Sequence, residues 1–305
     1  MGAGLCVDRA DLMALAGEAR LLRNEPERIA KGALAGERVS RQQGRGLNFE
    51  GLRRYQAGDD VRLIDWQATA RLRTPWVRLY NEERERPVFL LIDQRLDMYF
   101  TTRGHSKSAA AAMIAGLYAW RSWHDSDRLG ALVFNDEELA VHPCRSPKQN
   151  LGRVIEDLCR FNQALPERYP QEPRTEVDLA RALQQIQPLL PPGAWLGIIS
   201  DFHDLDARCD ALLAGLRRRC EITAFVIYDD LHLRLPTQGA LCARYQDSDA
   251  TVVLSPQMKS EIQHAIGRRL AEQEARLTRL GARVRNIVTS QDLVRQLQKG
   301  TQRGG

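Results

Sequence analysis

Three apolar runs of this chain end on an acid: Val88-Phe89-Leu90-Leu91-Ile92-Asp93, Trp195-Leu196-Gly197-Ile198-Ile199-Ser200-Asp201 and Ala224-Phe225-Val226-Ile227-Tyr228-Asp229. A carboxylate at the end of a buried strand can hold a hard cation, help a metal activate water, or anchor a hydrogen-bond network. The loop after the first run, Asp93-Gln94-Arg95-Leu96-Asp97, carries two carboxylates and a guanidinium. Two further oxygens for an octahedral ion could come from Thr175 and Asp201. One expectation is therefore a magnesium site made by Asp93, Asp97, Thr175 and Asp201. The other is metal-free: Arg95 bridges Asp93, Asp97 or Asp201, and a fixed cation takes the ion's place. A guanidinium about 5 Å from a divalent ion would be repelled by roughly 7 kcal/mol at an effective dielectric of about 20. Arginine cannot shed its proton to escape. The metal-free arrangement is the more economical, and no cofactor is expected.

These acids need a scaffold that brings strand ends together. Each run is too short for a helix buried on all faces, and its β-branched and aromatic bias suits a strand covered on both sides. Strands are expected at Val88–Asp93, Arg128–Phe134, Trp195–Asp201, Glu221–Tyr228, Thr251–Leu254 and Ala282–Val288. Helical patterns lie between them, at Ser106–Trp123, Lys148–Asn162, Glu176–Ile186, Asp206–Arg219 and Ser255–Leu280. This alternation predicts an α/β fold, a doubly wound and mostly parallel sheet, with a small N-terminal β-containing segment. Such sheets bind ligands at the carboxyl ends of the strands, where strand order reverses. Residues 1–84 read as a helix (Asp8–Leu22) plus the small β-containing region. Residues 85–299 read as the α/β domain and 300–305 as a frayed tail. Trp76–Tyr80 alternates like an edge strand.

Bulk properties narrow the function classes. The 305 residues carry 44 basic and 39 acidic side chains, net +5, with both signs interleaved. Specific nucleic-acid binding is not expected; the basic stretch Arg38–Arg45 predicts only weak, salt-sensitive association. Six cysteines are scattered without a CxxC pair, so neither zinc nor a disulfide framework is expected. The longest apolar stretch, Ala109–Trp120, is too short to span a bilayer, and no signal-peptide core is present. A soluble, cytoplasmic protein without membrane insertion follows. No GxxxxGK[ST] or GxGxxG motif predicts nucleotide chemistry. His203 lies beside Asp201 and Asp204, but a catalytic pair would need a nucleophile, and Ser200 sits inside a buried-strand pattern.

Two resemblances add to this reading. Asp93, Thr175 and Asp201 resemble the metal-ion-dependent adhesion site of von Willebrand factor A domains. The loop of that site reads Asp-x-Ser-x-Ser; here Arg95 and Asp97 stand where both serines belong. The implied domain is von Willebrand A-like with a degenerate site. The second resemblance runs from Gly46 through Phe49-Glu50-Gly51-Leu52-Arg53-Arg54-Tyr55 and Ala57-Gly58-Asp59-Asp60-Val61-Arg62-Leu63-Ile64-Asp65-Trp66 to Arg71, and on through Val77–Glu85. It is similar to the signature of the domain of unknown function 58 family, where it precedes a von Willebrand A-like domain. That resemblance implies a non-enzymatic adaptor or partner of a MoxR-type AAA+ ATPase in a chaperone-like assembly. Lys107 resembles a lysine often found at that helix start in the family. The charged residues of the signature have two readings. They form an ion-pair network that fixes the small region, or Arg53, Arg54 and Trp66 contact a partner. The alternative function is a metal-dependent phosphoesterase using Asp93, Asp97, Asp201 and Asp204.

Overall fold

Caps and turn residues set the element ends. Asp8, Ser106, Asp178, Asp206 and Ser255 each accept a backbone N–H at a helix start, and Pro147 occupies the first turn of another helix. The computed structural model describes residues 4–22, 47–82, 86–168, 176–231, 235, 239–245 and 248–299. In chain order it holds α1 (Arg9–Ala19), β1 (Leu47–Arg54), α2 (Trp66–Leu72), β2 (Trp76–Glu82), β3 (Val88–Asp93), α3 (Lys107–His124), β4 (Leu129–Phe134), β5 (Leu139–Arg145), α4 (Pro147–Gln163), α5 (Leu165–Arg168), α6 (Leu179–Ile186), β6 (Trp195–Ser200), α7 (Ala207–Arg217), β7 (Glu221–Tyr228), β8 (Gly239–Tyr245), β9 (Ser248–Leu254), α8 (Pro256–Arg279), β10 (Arg283–Val288) and α9 (Leu293–Lys299). Two compact units result: Met1–Glu27 with Arg86–Gly305, and Arg28–Glu85.

The first unit is built on a six-stranded sheet ordered β10-β7-β6-β3-β4-β5. Every pairing is parallel except β4 with β5. From β3 the chain steps to β4 on one side and later returns to β6 on the other. Strand order therefore reverses between β3 and β6. Alternate residues of β3 face opposite layers, as a pleated strand requires. Leu90 and Ile92 join a core with α1, α3, α4 and α9, while Phe89 and Leu91 join one with α6, α7 and α8. Helices thus flank a mostly parallel sheet, compatible with a doubly wound α/β fold. No helix among the described residues is long and apolar enough to cross a membrane. Cys6, Cys144, Cys159, Cys209 and Cys220 are free thiols.

Three elements differ from the sequence reading. The N-terminal helix, grouped there with residues 1–84, packs on α3 within the first unit. Its Leu12 and Leu15 are buried, and a Cβ on Gly116 of α3 would stand 3.1 Å from Leu15 and 3.4 Å from Leu12. The missing side chain lets the two helices meet closely. Strand β5 is not among the strands expected from the sequence. It carries Pro143, which an edge strand tolerates because one of its sides needs no N–H donor. Strand β8 is likewise not among the expected strands and pairs antiparallel with β9.

The second unit is a two-stranded antiparallel sheet, β1 with β2, bulged between Phe49 and Gly51. Its β2 extends the edge strand expected at Trp76–Tyr80. Asp65 caps α2 by accepting from Gln67 N and Ala68 N at 3.0 and 2.9 Å. It also accepts from Arg78 Nε at 2.9 Å.

Candidate functional site

Asp93 ends the central strand β3 and is fully buried. Two residues later the chain turns Arg95 back upon it. Arg95 N and Nε donate to Asp93 Oδ1 at 3.1 and 3.0 Å, and Nη2 donates to Oδ2 at 2.7 Å. The same guanidinium donates to Asp204 Oδ2 and Oδ1 at 2.6 and 3.0 Å. One planar fork therefore binds two carboxylates. Arg95 is only 2% exposed, with its Cζ 5.3 Å from the centroid of the Phe134 ring. Burial works against its charge, but Asp93 and Asp204 more than compensate and hold it above the ordinary arginine range.

The neighbouring strand β6 supplies the rest. Ser200 Oγ donates to Asp93 Oδ2 at 2.6 Å and accepts from Phe202 N at 3.0 Å. Phe202 sits at φ +52°, a left-handed conformation rare for a bulky residue. That turn carries the chain from Asp201 to His203 and Asp204. Asp204 also accepts from Leu179 N, the first residue of α6, at 3.0 Å. Burial pushes the Asp204 carboxyl up, yet the Arg95 bonds and Leu179 N hold it below the usual range.

A second set of pairs lies alongside. Asp201 Oδ2 pairs with Lys107 Nζ at the start of α3. His203 Nδ1 faces Asp201 Oδ1 at 3.2 Å and its Nε2 faces Asp97 Oδ2 at 3.1 Å. Both ring nitrogens thus meet acceptor oxygens, an arrangement that suits the doubly protonated imidazolium. Burial pushes Asp201 up, but His203 and Lys107 outweigh it and hold the carboxyl far below its usual value. The Asp201 bond is also the main reason His203 titrates above the ordinary imidazole value. Buried Asp136 accepts from Leu96 N at 2.8 Å, and burial pushes its carboxyl up.

The structure thus places Asp93 and Arg95 in one set of ion pairs and Asp97 and Asp201 in a second set alongside, while Thr175 lies outside the described residues. The second partner of Arg95 is Asp204 rather than Asp97 or Asp201. Asp229, the third acid to end an apolar run, accepts from Thr102 N and Leu231 N at 2.8 Å each and from Thr289 Oγ1 at 3.3 Å. The sequence reading missed Asp136. Its signal was the same run-then-acid pattern, delayed by one residue in Phe134-Asn135-Asp136. A divalent ion does not fit at Asp93, because both oxygens already accept from Arg95, and Oδ2 accepts from Ser200 as well. Nor are three His, Cys, Asp or Glu side chains among the described residues grouped to hold a metal.

In the second unit Arg53 forms a two-bond pair with Asp59, at 2.7 and 2.6 Å. Arg54 is exposed, Trp66 is 69% exposed, and Val61 and Arg62 are exposed as well.

The uncharacterized protein Mb1516 of Mycobacterium bovis and the uncharacterized protein Rv1480 of Mycobacterium tuberculosis are each 27% identical over 283 residues. Each match covers 91% of this chain and 86% of the relative. Among solved structures, an aerotolerance-related membrane protein from Bacteroides fragilis, carrying multiple mutations to serines, matches 71% of this chain and 96% of its own. Its TM-score is 0.37 at 11% identity, too loose a likeness to carry an argument. The family described as protein of unknown function DUF58 matches residues 51–276, most of the chain, and this protein belongs to it.

Proposed function

We propose that the protein is a non-enzymatic interaction module. In this reading it is a von Willebrand A-like scaffold serving a MoxR-type AAA+ ATPase as adaptor or partner in a chaperone-like assembly, in the cytoplasm and without a cofactor. The observation that carries the reading is the Arg95 fork. It occupies both oxygens of Asp93 and both of Asp204 at the point where strand order reverses. A general base needs an uncommitted lone pair within reach of substrate. Here Asp93 and Asp204 bind Arg95 and Asp201 binds Lys107 and His203, so these three are committed, while Asp97 faces His203 through one oxygen and is half-exposed. These are the four carboxylates a phosphoesterase would need. What the second unit offers instead is exposed aromatic and basic surface, Trp66 with Arg54 and Arg62, the residue types enriched where proteins bind one another. The MoxR-type identity of the partner rests on the family resemblance of Gly46–Arg71 and Val77–Glu85.

The test is co-elution of the full-length protein with the MoxR-type ATPase of the same organism on a sizing column. We expect a complex that persists in a chelator and weakens in Trp66→Ala. Separate elution of the two proteins, or phosphoester turnover stimulated by magnesium or manganese, would overturn the proposal.

A further inference from the structure

We propose that a groove beside Asp201 docks an acidic, apolar segment of the partner protein, with Arg269 reading its carboxylate. This deepens the interaction-module reading and rests on it. The groove has a volume of about 390 Å³ and lies at the carboxyl ends of β6 and β7, walled by α8. That is near the lower end of the roughly 300–1,000 Å³ range of ligand pockets, a size for one or two apolar side chains. Its apolar lining is partly open to solvent: Phe100 is 46% exposed, and Leu231, Ile266 and Leu270 are half-buried.

The charged groups around this groove are unequally engaged. Lys107 and His203 bind Asp201, His203 also binds Asp97, and Asp229 is held by Thr102 and Leu231 N. Arg269, exposed on α8, makes one weak bond among the described residues, from Nη2 to His203 O at 3.4 Å. A guanidinium has five donors, so most of its fork faces outward. Arg268 beside it is exposed too and adds charge of the same sign. An apolar floor beside an unmatched guanidinium complements a peptide that places a carboxylate next to an aliphatic side chain. A neutral apolar ligand would leave that fork unused, and a basic one would be repelled by it.

The probe is a blocked peptide, Gly-Leu-Glu-Leu-Ser-Gly, titrated into the isotope-labelled full-length protein and followed by NMR. We expect shifts centred on Phe100, Leu231, Ile266 and Leu270. Replacing the peptide's Glu by Gln, or Arg269 by Ala, should each weaken binding about fivefold, the size of a partly screened charge pair. Arg269 is exposed, so its variants should keep the fold. No shifts in the groove at millimolar peptide would overturn the inference, as would equal binding of the Gln peptide or by Arg269→Ala. A second arm separates this from the broader reading. If Arg269→Glu still co-elutes with the ATPase as wild type does, the groove assignment falls and the adaptor reading stands. If wild type itself forms no complex with the ATPase, the adaptor reading falls and this inference with it.

Discussion

Arg95 joins Asp93 to Asp204 with almost no access to water. Removing one partner of a buried ion pair leaves the other charge stranded, at a cost of about 3–5 kcal/mol. Arg95→Met should lose that much in urea unfolding, whereas Asp204→Asn, whose side chain is partly open, should lose less. His203 makes a second prediction, set by the charges facing it: Asp97, Asp201, Asp204, Lys107 and Arg95. Its folded pKa stands above the usual value of about 6.5. The stability it adds is therefore fully present below that pH and fades as pH rises through the raised value. Asp201 and Asp204 act at the other end, since their values are depressed. Their contribution is complete above the ordinary carboxylate value, about 3.9, and is lost as pH falls through the folded ones. Thermal melts from pH 5 to 9 should show a decline on the alkaline side that His203→Gln flattens. Asp93 and Asp201 were legible in the sequence because a buried strand running into an acid is a local pattern. The reach of Asp204 to Arg95 was not. It depends on a left-handed Phe202, and nothing in that residue type announces such a turn.

At the scale of elements, the central strands were legible from their apolar runs, and β3 appears over the span expected. The edges were not. Strand β5 hides its alternation behind Pro143, and α1 offers no local sign that its partner is α3 rather than the residues that follow it. What ties α1 down is a polar relay. Val7 N donates to Asn162 Oδ1, Asn162 Nδ2 to Gln94 Oε1, and Gln94 Nε2 to Ser108 O, at 2.8, 2.8 and 2.9 Å. This chain runs from the N-terminal segment through α4 and the loop after β3 to α3. Asn162→Leu keeps much of the volume but strands a donor and an acceptor. Each should cost about 1–3 kcal/mol, measurable by urea unfolding. Leu12→Ala should cost about 2–5 kcal/mol by emptying the α1–α3 contact.

Taken whole, the molecule divides its resources unevenly. The first unit has two buried layers around its sheet. In the second, Val77 is the buried apolar side chain among those described, and its sheet has two strands. A two-stranded sheet of that kind is marginal at best in water. A synthetic chain of residues 28–85 should therefore show no cooperative thermal transition by circular dichroism. The net charge of +5 with interleaved signs leads to one more expectation. Affinity for duplex DNA should be weak and disappear between low and physiological salt in a titration.

The Arg95–Asp204 pair spans 109 positions of chain and the Ser200–Asp93 bond spans 107. Neither can close until β3 and β6 lie side by side. Long-range contacts are the slow ones to form, because the loop entropy is lost before the contact rewards it. The polar centre therefore assembles late, and a nascent polypeptide stalled short of β6 holds two opposite charges with nothing to lock them to the sheet. Its completion marks the moment at which the two halves of the sheet have found each other in the right order.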